Sequence, residues 1–400
     1  ADVRITVYGN DGKILVSYSP EEKKIEKIPN PAEAIKEPEE IWTNEELYLA
    51  GMHIEQYRHA TYLPDPYYLE ALKRDKGDMR ANNAYGLLLL RRGCFDDAEK
   101  YFRAAVKRAT WKNPNPYNSE PYYNLGLTLF YQERMEEAYD AFFKATWTNE
   151  QQEMSFYYLA AITARQEEYQ SALIHIEKAL VKNSHNLKAR AMKSYLLKKI
   201  GRLDKAKEWT EENLKLNEFD FISRFEMADF DDSLKKGNKD KANRLMRQYS
   251  ENYLQTAREY AEFGAYQNAI EVLDECTEHN PMLDYYKAYY LGKIGKENES
   301  ALDKAEKECP DYCFPNKLED ILVLSSAIQQ NPKGARAYYY LGNLYYDKMQ
   351  YGKAIALWEK AADLDETFPI TFRNLALAYF NKCGAKEKAQ KMLEKAFSLE

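Results

Sequence analysis

The sequence predicts an all-α protein, a right-handed superhelical solenoid of paired helices with a short β-hairpin at its start. Three observations lead there. Only 16 Gly and 14 Pro occur in 400 residues, too few turn formers for an all-β sandwich or barrel. From about Asn44 onward the apolar residues recur at helical spacing. A helix-turn-helix pattern then repeats along the rest of the chain, with Gly126, Ala160, Ser194 and Ala228 at equal steps.

Taken in order, residues 3–8 alternate Val3, Ile5 and Val7 with polar neighbours, and Asn10-Asp11-Gly12 offers a turn into a second run at Lys13–Tyr18. Residues 1–20 therefore read as a β-hairpin. Two strands alone are marginal in water, so the hairpin reads as the remnant of a β-domain lying upstream. Residues 21–43, rich in Glu, Lys and Pro without a helical stripe, read as a linker. Residues 44–400 read as about nine helix pairs. The small residue that lets the paired helices touch recurs at Gly86, Gly126, Ala160, Ser194, Ala228, Ala257, Ala288, Gly342 and Ala376. The long step from Gly86 to Gly126 contains the inserted loop Asn113-Pro114-Asn115-Pro116-Tyr117. The longer one from Ala288 to Gly342 contains an extra helix, roughly Asn316–Gln330, after the loop Cys309–Pro315.

Composition excludes several function classes. Lys and Arg total 57 against 64 Asp and Glu, a net charge of −7 with both signs interspersed, so no basic field for nucleic acid exists. A mean hydropathy of −0.71 and the lack of any apolar run near ~18 residues argue against membrane insertion, and a cytoplasmic location is expected. Five scattered Cys do not resemble a disulfide framework. The count of 34 Tyr is the outlier, and calls for aromatic residues that pack helices and also carry a polar tip.

Pro121-Tyr122-Tyr123-Asn124-Leu125-Gly126, followed by Ala138, Phe142 and Ala145, resembles the tetratricopeptide repeat. So do Tyr338-Tyr339-Tyr340-Leu341-Gly342 with Ala354, Trp358 and Ala361, and Gly86 with Ala98, Phe102 and Ala105. A closer resemblance spans roughly residues 40–230. Glu55-Gln56-Tyr57-Arg58-His59-Ala60, Pro66-Tyr67-Tyr68, Asn113–Tyr117 and Glu120–Gly126 are similar to bacterial proteins of unknown function in which a galactose-mutarotase-like β-domain precedes a tetratricopeptide array. That resemblance implies that the hairpin is the end of such a β-domain, and it supplies no reaction.

The first helix of each pair lines the concave face of such a solenoid, where ligands bind. In register with the small residues, that face should present Arg80, Asn83, Glu120, Tyr123, Tyr131, Tyr157, Arg165, Tyr339, Asn343 and Tyr346 as a ligand groove. Tyr, Arg and Asn make contact with little entropy loss or with directional hydrogen bonds. The family's clamp for a C-terminal carboxylate needs Lys and Asn, whereas Asn83, Leu87, Tyr123 and Leu127 stand at those positions, so that ligand is not implied. Glu55, Arg58 and His59 share one face of an early helix and, with Asn113, Asn115 and Tyr117, form a candidate surface for docking another domain.

No phosphate-cradling loop, nucleophile elbow or zincin pattern is present, so no catalytic residue, cofactor or metal is assigned. Cys309 and Cys313 lack nearby His partners for zinc. The expected function is that of a non-catalytic interaction scaffold binding a protein, a peptide or its own upstream domain. The alternative is an accessory region of a carbohydrate-binding or carbohydrate-active enzyme, with a glycan as ligand.

Overall fold

The structure is a computed structural model that describes the chain apart from residues 1–2, 22–27, 29, 32, 58–60, 229, 231 and 400 and the side chains of 232–235. The chain divides into two units, Ala1–Trp42 and Thr43–Glu400. In the first, β1 (Ile5–Tyr8) pairs antiparallel with β2 (Ile14–Tyr18), with a bulge between Val7 and Tyr8. A single 3-10 turn, Pro38–Glu40, lies near its end.

The second unit is wholly helical among its described residues. It runs α1 (Asn44–Tyr57), α2 (Asp65–Arg74), α3 (Met79–Arg91), α4 (Phe95–Ala109), α5 (Glu120–Tyr131), α6 (Met135–Ala145) and α7 (Asn149–Arg165). Then come α8 (Tyr169–Lys182), α9 (Leu187–Lys199), α10 (Leu203–Leu216), α11 (Phe221–Ala228), α12 (Asp232–Met246), α13 (Ser250–Glu262) and α14 (Tyr266–Asp274). The remainder is α15 (Pro281–Lys293), α16 (Glu299–Lys307), α17 (Leu318–Gln330), α18 (Ala335–Asp347), α19 (Tyr351–Leu364), α20 (Pro369–Cys383) and α21 (Lys386–Ser398). Each odd helix from α1 to α15 packs on the even helix after it, and α18 with α19 and α20 with α21 complete the solenoid. Helix α17 is the one left without a hairpin partner.

The pairing has a simple cause. A Cβ placed on Gly86, Gly126 or Gly342 would come within 2.8, 2.8 and 2.5 Å of the rings of Phe102, Phe142 and Trp358. Each ring stands at the same offset from its glycine on the following helix, so a missing side chain on one helix accepts a large one from the next. Gly51 of α1 receives Tyr68 of α2 in the same manner. This pair lies ahead of the first small residue found by register, because its large partner is a Tyr one residue out of step.

The hairpins close with a left-handed residue: Gly93, Glu133, Glu167, Gly201, Gly264, Gly295, Met349 and Gly384 all have positive φ. In most of these turns the next amide reaches back to a carbonyl in the last turn of the first helix, as Cys94 N does to Leu89 O and Arg134 N to Leu129 O. This satisfies helix-end carbonyls and stops the helix.

Tyr dominates the interior. Tyr157, Tyr260, Tyr285 and Tyr286 are fully buried, and their hydroxyls donate to Glu262, Glu226, Glu306 and Asp320 at 2.7, 2.9, 2.7 and 2.6 Å. A phenol thus fills a helix interface and satisfies its polar tip on a carboxylate.

Candidate functional site

The first helices face inward, but what they face includes other parts of the same chain. Helix α17 packs on α15 and α18 on one side and on α5 on the other. Its sequence explains this: Ile321, Leu322, Val323 and Leu324 run consecutively, too many apolar residues for one stripe, which suits a helix held between two walls. Tyr131 donates to Glu319 of α17 at 3.3 Å. In the α3–α4 turn, a Cβ on Gly93 would collide with Ile321 Cδ1.

Two further turns close the same gap. Gly264, in the α13–α14 turn, lies so near α7 that its Cβ would be 3.0 Å from Arg165 Cα. Arg165 donates through Nε to the Glu262 carbonyl at 2.9 Å and through a terminal nitrogen to that of Ala261 at 3.0 Å, capping the end of α13. Glu133, in the α5–α6 turn, accepts from the Tyr289 hydroxyl at 3.0 Å and pairs with Lys293.

Between these contacts lies a cavity of about 60 Å³. Phe130, Tyr131 and Tyr158 wall one side, Tyr286, Tyr289 and Tyr290 of α15 another, and Arg258, Glu262 and Glu319 reach its edge. A larger recess of about 510 Å³ shares Glu133, Tyr289 and Leu322 with it and is otherwise polar, with Lys293, Ser325, Ser326, Gln329 and Gln330. The cavity therefore has a mouth.

Its electrostatics follow from burial. Tyr131 is held protonated by burial first and then by the carboxylates of Glu319 and Glu262. Burial pushes Glu319 above the usual carboxylate range; its own backbone amide and Arg258 oppose this, and Glu262 adds to it. Burial alone would lower Lys188, but Glu262 and Glu259 hold it above its ordinary value, with Glu262 at 3.3 Å. Burial works against Glu133 too, yet Lys293 and Tyr289 together keep it below its ordinary value.

The residues expected on the concave face are distributed over three places. Tyr131 and Arg165 line the cavity, and Tyr157 stands behind it, 1% exposed, with its hydroxyl fixing Glu262. Tyr123 packs against Phe142 and Tyr158 at 5.8 and 6.3 Å between ring centres. At the N-terminal end, Arg80 pairs with Glu45 of α1 and lies 4.9 Å from the Tyr48 ring centre, Asn83 accepts from Asn124 at 3.0 Å, and Glu120 is half-buried at the start of α5. At the C-terminal end, Asn343 accepts from Trp358 and Asn374, both at 3.0 Å; Tyr346 packs on Trp358; and Tyr339 is buried against Phe368.

Of the candidate docking surface, Glu55 accepts from Tyr68 at 3.2 Å and pairs with Arg91, while Arg58 and His59 lie outside the described residues. In the inserted loop Asn113 accepts from the Asn115 amide at 3.0 Å, and Tyr117 is fully exposed. Cys309 is exposed, whereas Cys313 is buried and its thiol is pushed up to about 12 by burial. Arg258, Glu262 and Glu319 escaped the sequence reading. The inserted helix was legible, but nothing local says which wall its first turn meets.

Residues 66–114 and 95–146 match the profile described as tetratricopeptide repeat, and residues 342–382 match the TPR repeat profile. These segments resemble tetratricopeptide repeats. The chain is also similar to solved structures. One is PilF of Pseudomonas aeruginosa, at 19% identity and a TM-score of 0.42 over 56% of this chain and 96% of that one. Another is a tetratricopeptide repeat protein of Parabacteroides merdae, at 16% identity and a TM-score of 0.35 over 80% of this chain and 98% of that one. A third is YrrB, described as a TPR protein with an unusual peptide-binding site, at 16% identity and a TM-score of 0.21 over 56% of this chain and 92% of that one. No helix among the described residues is long and apolar enough to cross a membrane.

Proposed function

We propose that this chain is a non-catalytic interaction scaffold that receives a peptide or protein partner on its concave side, where the recess at Glu133, Tyr289 and Lys293 leads into the tyrosine-walled cavity. Paired-helix repeats present an extended concave surface of the kind such solenoids use for binding. The carrying observation is the cavity itself. Aromatic rings and a few convergent polar groups from α5, α7, α13, α15 and α17 enclose space that their own side chains do not fill. Tyr131 and Arg165, expected at the groove from sequence, are among its lining. The exposed loop around Tyr117 is a second, separate surface on which a neighbouring domain can dock.

A peptide-array screen of the purified protein followed by calorimetry tests the proposal. Hits should weaken by ~2 kcal/mol on Tyr289→Ala if that ring is a hot spot at the mouth. A Tyr117→Ala control should leave them unchanged. Peptides that bind equally well to both variants would place the ligand elsewhere on the solenoid.

A further inference from the structure

The chemistry of the cavity says what kind of group it accepts, an inference that rests on the reading above. Its walls are neutral rings: burial keeps the hydroxyls of Tyr131, Tyr158, Tyr289 and Tyr290 protonated. The face of such a ring is electron-rich and attracts cations. Two cations of the protein already use this property, Arg165 at 4.5 Å from the Phe130 ring centre and Arg258 at 5.6 Å from that of Tyr286.

Both arginines are committed. Arg165 donates to the carbonyls of Ala261 and Glu262, and Arg258 donates to Gln255 at 3.1 Å with Glu251 at 3.6 Å. Two of the three carboxylates are committed as well, Glu133 to Lys293 and Glu262 to Lys188. Glu319 differs. Its side-chain donor is the Tyr131 hydroxyl, and among the described residues no cation lies within 4.0 Å of its carboxylate. Its neighbour Asp320 is saturated, accepting from Tyr286 and from the amides of Asn316 and Lys317, which pins the first turn of α17 in place. Glu319 is therefore held at the cavity edge without an ion-pair partner, its charge offset only by the more distant Arg258, a costly arrangement for a desolvated carboxylate.

We propose that the cavity takes a cationic head group, an ammonium or guanidinium on a short apolar stem, with Glu319 as counter-charge and the rings of Tyr289 and Tyr290 as walls. The volume of about 60 Å³ admits a head group of a few heavy atoms, and the stem runs out through the recess past Leu322. Burial is the first cause of the raised proton affinity of Glu319, and a cation arriving beside it would favour the charged carboxylate against that burial. The same head group exists on free organic amines and on Lys or Arg side chains of a peptide.

Calorimetry on the full 400-residue protein separates the cases. The probes are n-butylammonium, butylguanidinium, neutral n-butanol and anionic butyrate, together with Lys- or Arg-bearing peptides from the array and their Gln-substituted counterparts. The cations should bind at least tenfold more tightly than butanol, and Glu319→Gln should bring them down to the butanol level while leaving butanol unchanged. Circular dichroism confirms that the variant is folded. Equal binding of cations and butanol, a preference for butyrate, insensitivity to Glu319→Gln, or no binding by any probe overturns the cation site. Peptides that bind regardless of their basic residues also overturn it, while the scaffold reading stands. Free cations that bind without any peptide support the site and remove the peptide reading.

Discussion

Glu133 and Lys293, 160 residues apart in the chain, form an ion pair across the inside of the solenoid. Glu133 makes this contact from a left-handed backbone (φ 59) that five of its seven counterparts in other hairpin turns assign to glycine. A non-glycine residue there costs about 1 kcal/mol or more in backbone strain. Glycine would remove that strain and also the side chain that reaches α15, so the two effects oppose one another.

Glu133→Ala keeps the strain and loses the contacts with Lys293 and Tyr289. It should lower stability by ~1 kcal/mol, while Glu133→Gly should lie near wild type. The pair is partly exposed, so its share is modest and screened by salt. Thermal unfolding at low and high salt checks this; a Glu133→Gly variant less stable than Glu133→Ala would show that strain plays no part.

Gly93 and Gly201 form a matched pair. Both have left-handed backbones, φ 72 and φ 76, but a Cβ at Gly201 meets nothing within 4 Å whereas one at Gly93 meets Ile321. Gly201→Ala should cost ~1 kcal/mol of strain, and Gly93→Ala that amount plus ~1–3 kcal/mol of overpacking against α17. Denaturant unfolding gives both numbers. Ile321→Val combined with Gly93→Ala should recover part of the loss, and a simple sum of the single effects would argue against the α17 contact.

Tyr157 and Tyr340 are both buried, yet the Tyr157 hydroxyl donates to Glu262 whereas that of Tyr340 has only the weakly hydrogen-bonding Cys313 thiol beside it and makes no well-formed hydrogen bond. Removing a satisfied hydroxyl strands its acceptor, whereas removing a poorly satisfied one relieves a desolvation cost. Tyr157→Phe should destabilise by ~1–2 kcal/mol and Tyr340→Phe should be neutral or stabilising by up to ~1 kcal/mol, as read by melting temperature.

Glu319 sets a pH signature opposite in sign to that of Glu133. Its folded proton affinity is raised, so its contribution to stability is full below the unfolded value near 4.5 and is lost as pH rises through the higher folded value. Glu319→Gln removes this loss. The stability of the variant relative to wild type should therefore increase as pH is raised from 4 toward 7, measured by denaturant unfolding at each pH. A difference that is flat or falls would show that the carboxyl is solvated.

The repeats were legible from sequence because their determinants are local. Gly86 with Phe102, Gly126 with Phe142 and Gly342 with Trp358 are contacts within one hairpin, and a hairpin of fixed length forces them wherever it occurs. Periodicity also puts Tyr131 and Arg165 on one face of the first helices of their pairs, and both line the cavity. What lies opposite that face is a different matter. Small rotations add up over repeats until α13, α15 and α17 come back against α5 and α7, and no local pattern carries that sum. Periodicity thus determined the helix pairs, while Tyr123, Tyr157 and Tyr339, expected on the inner face, pack among the helices instead. Tertiary closure decided that Tyr157 meets Glu262 and Tyr131 meets Glu319 rather than water, because it alone brings those residues within hydrogen-bond reach.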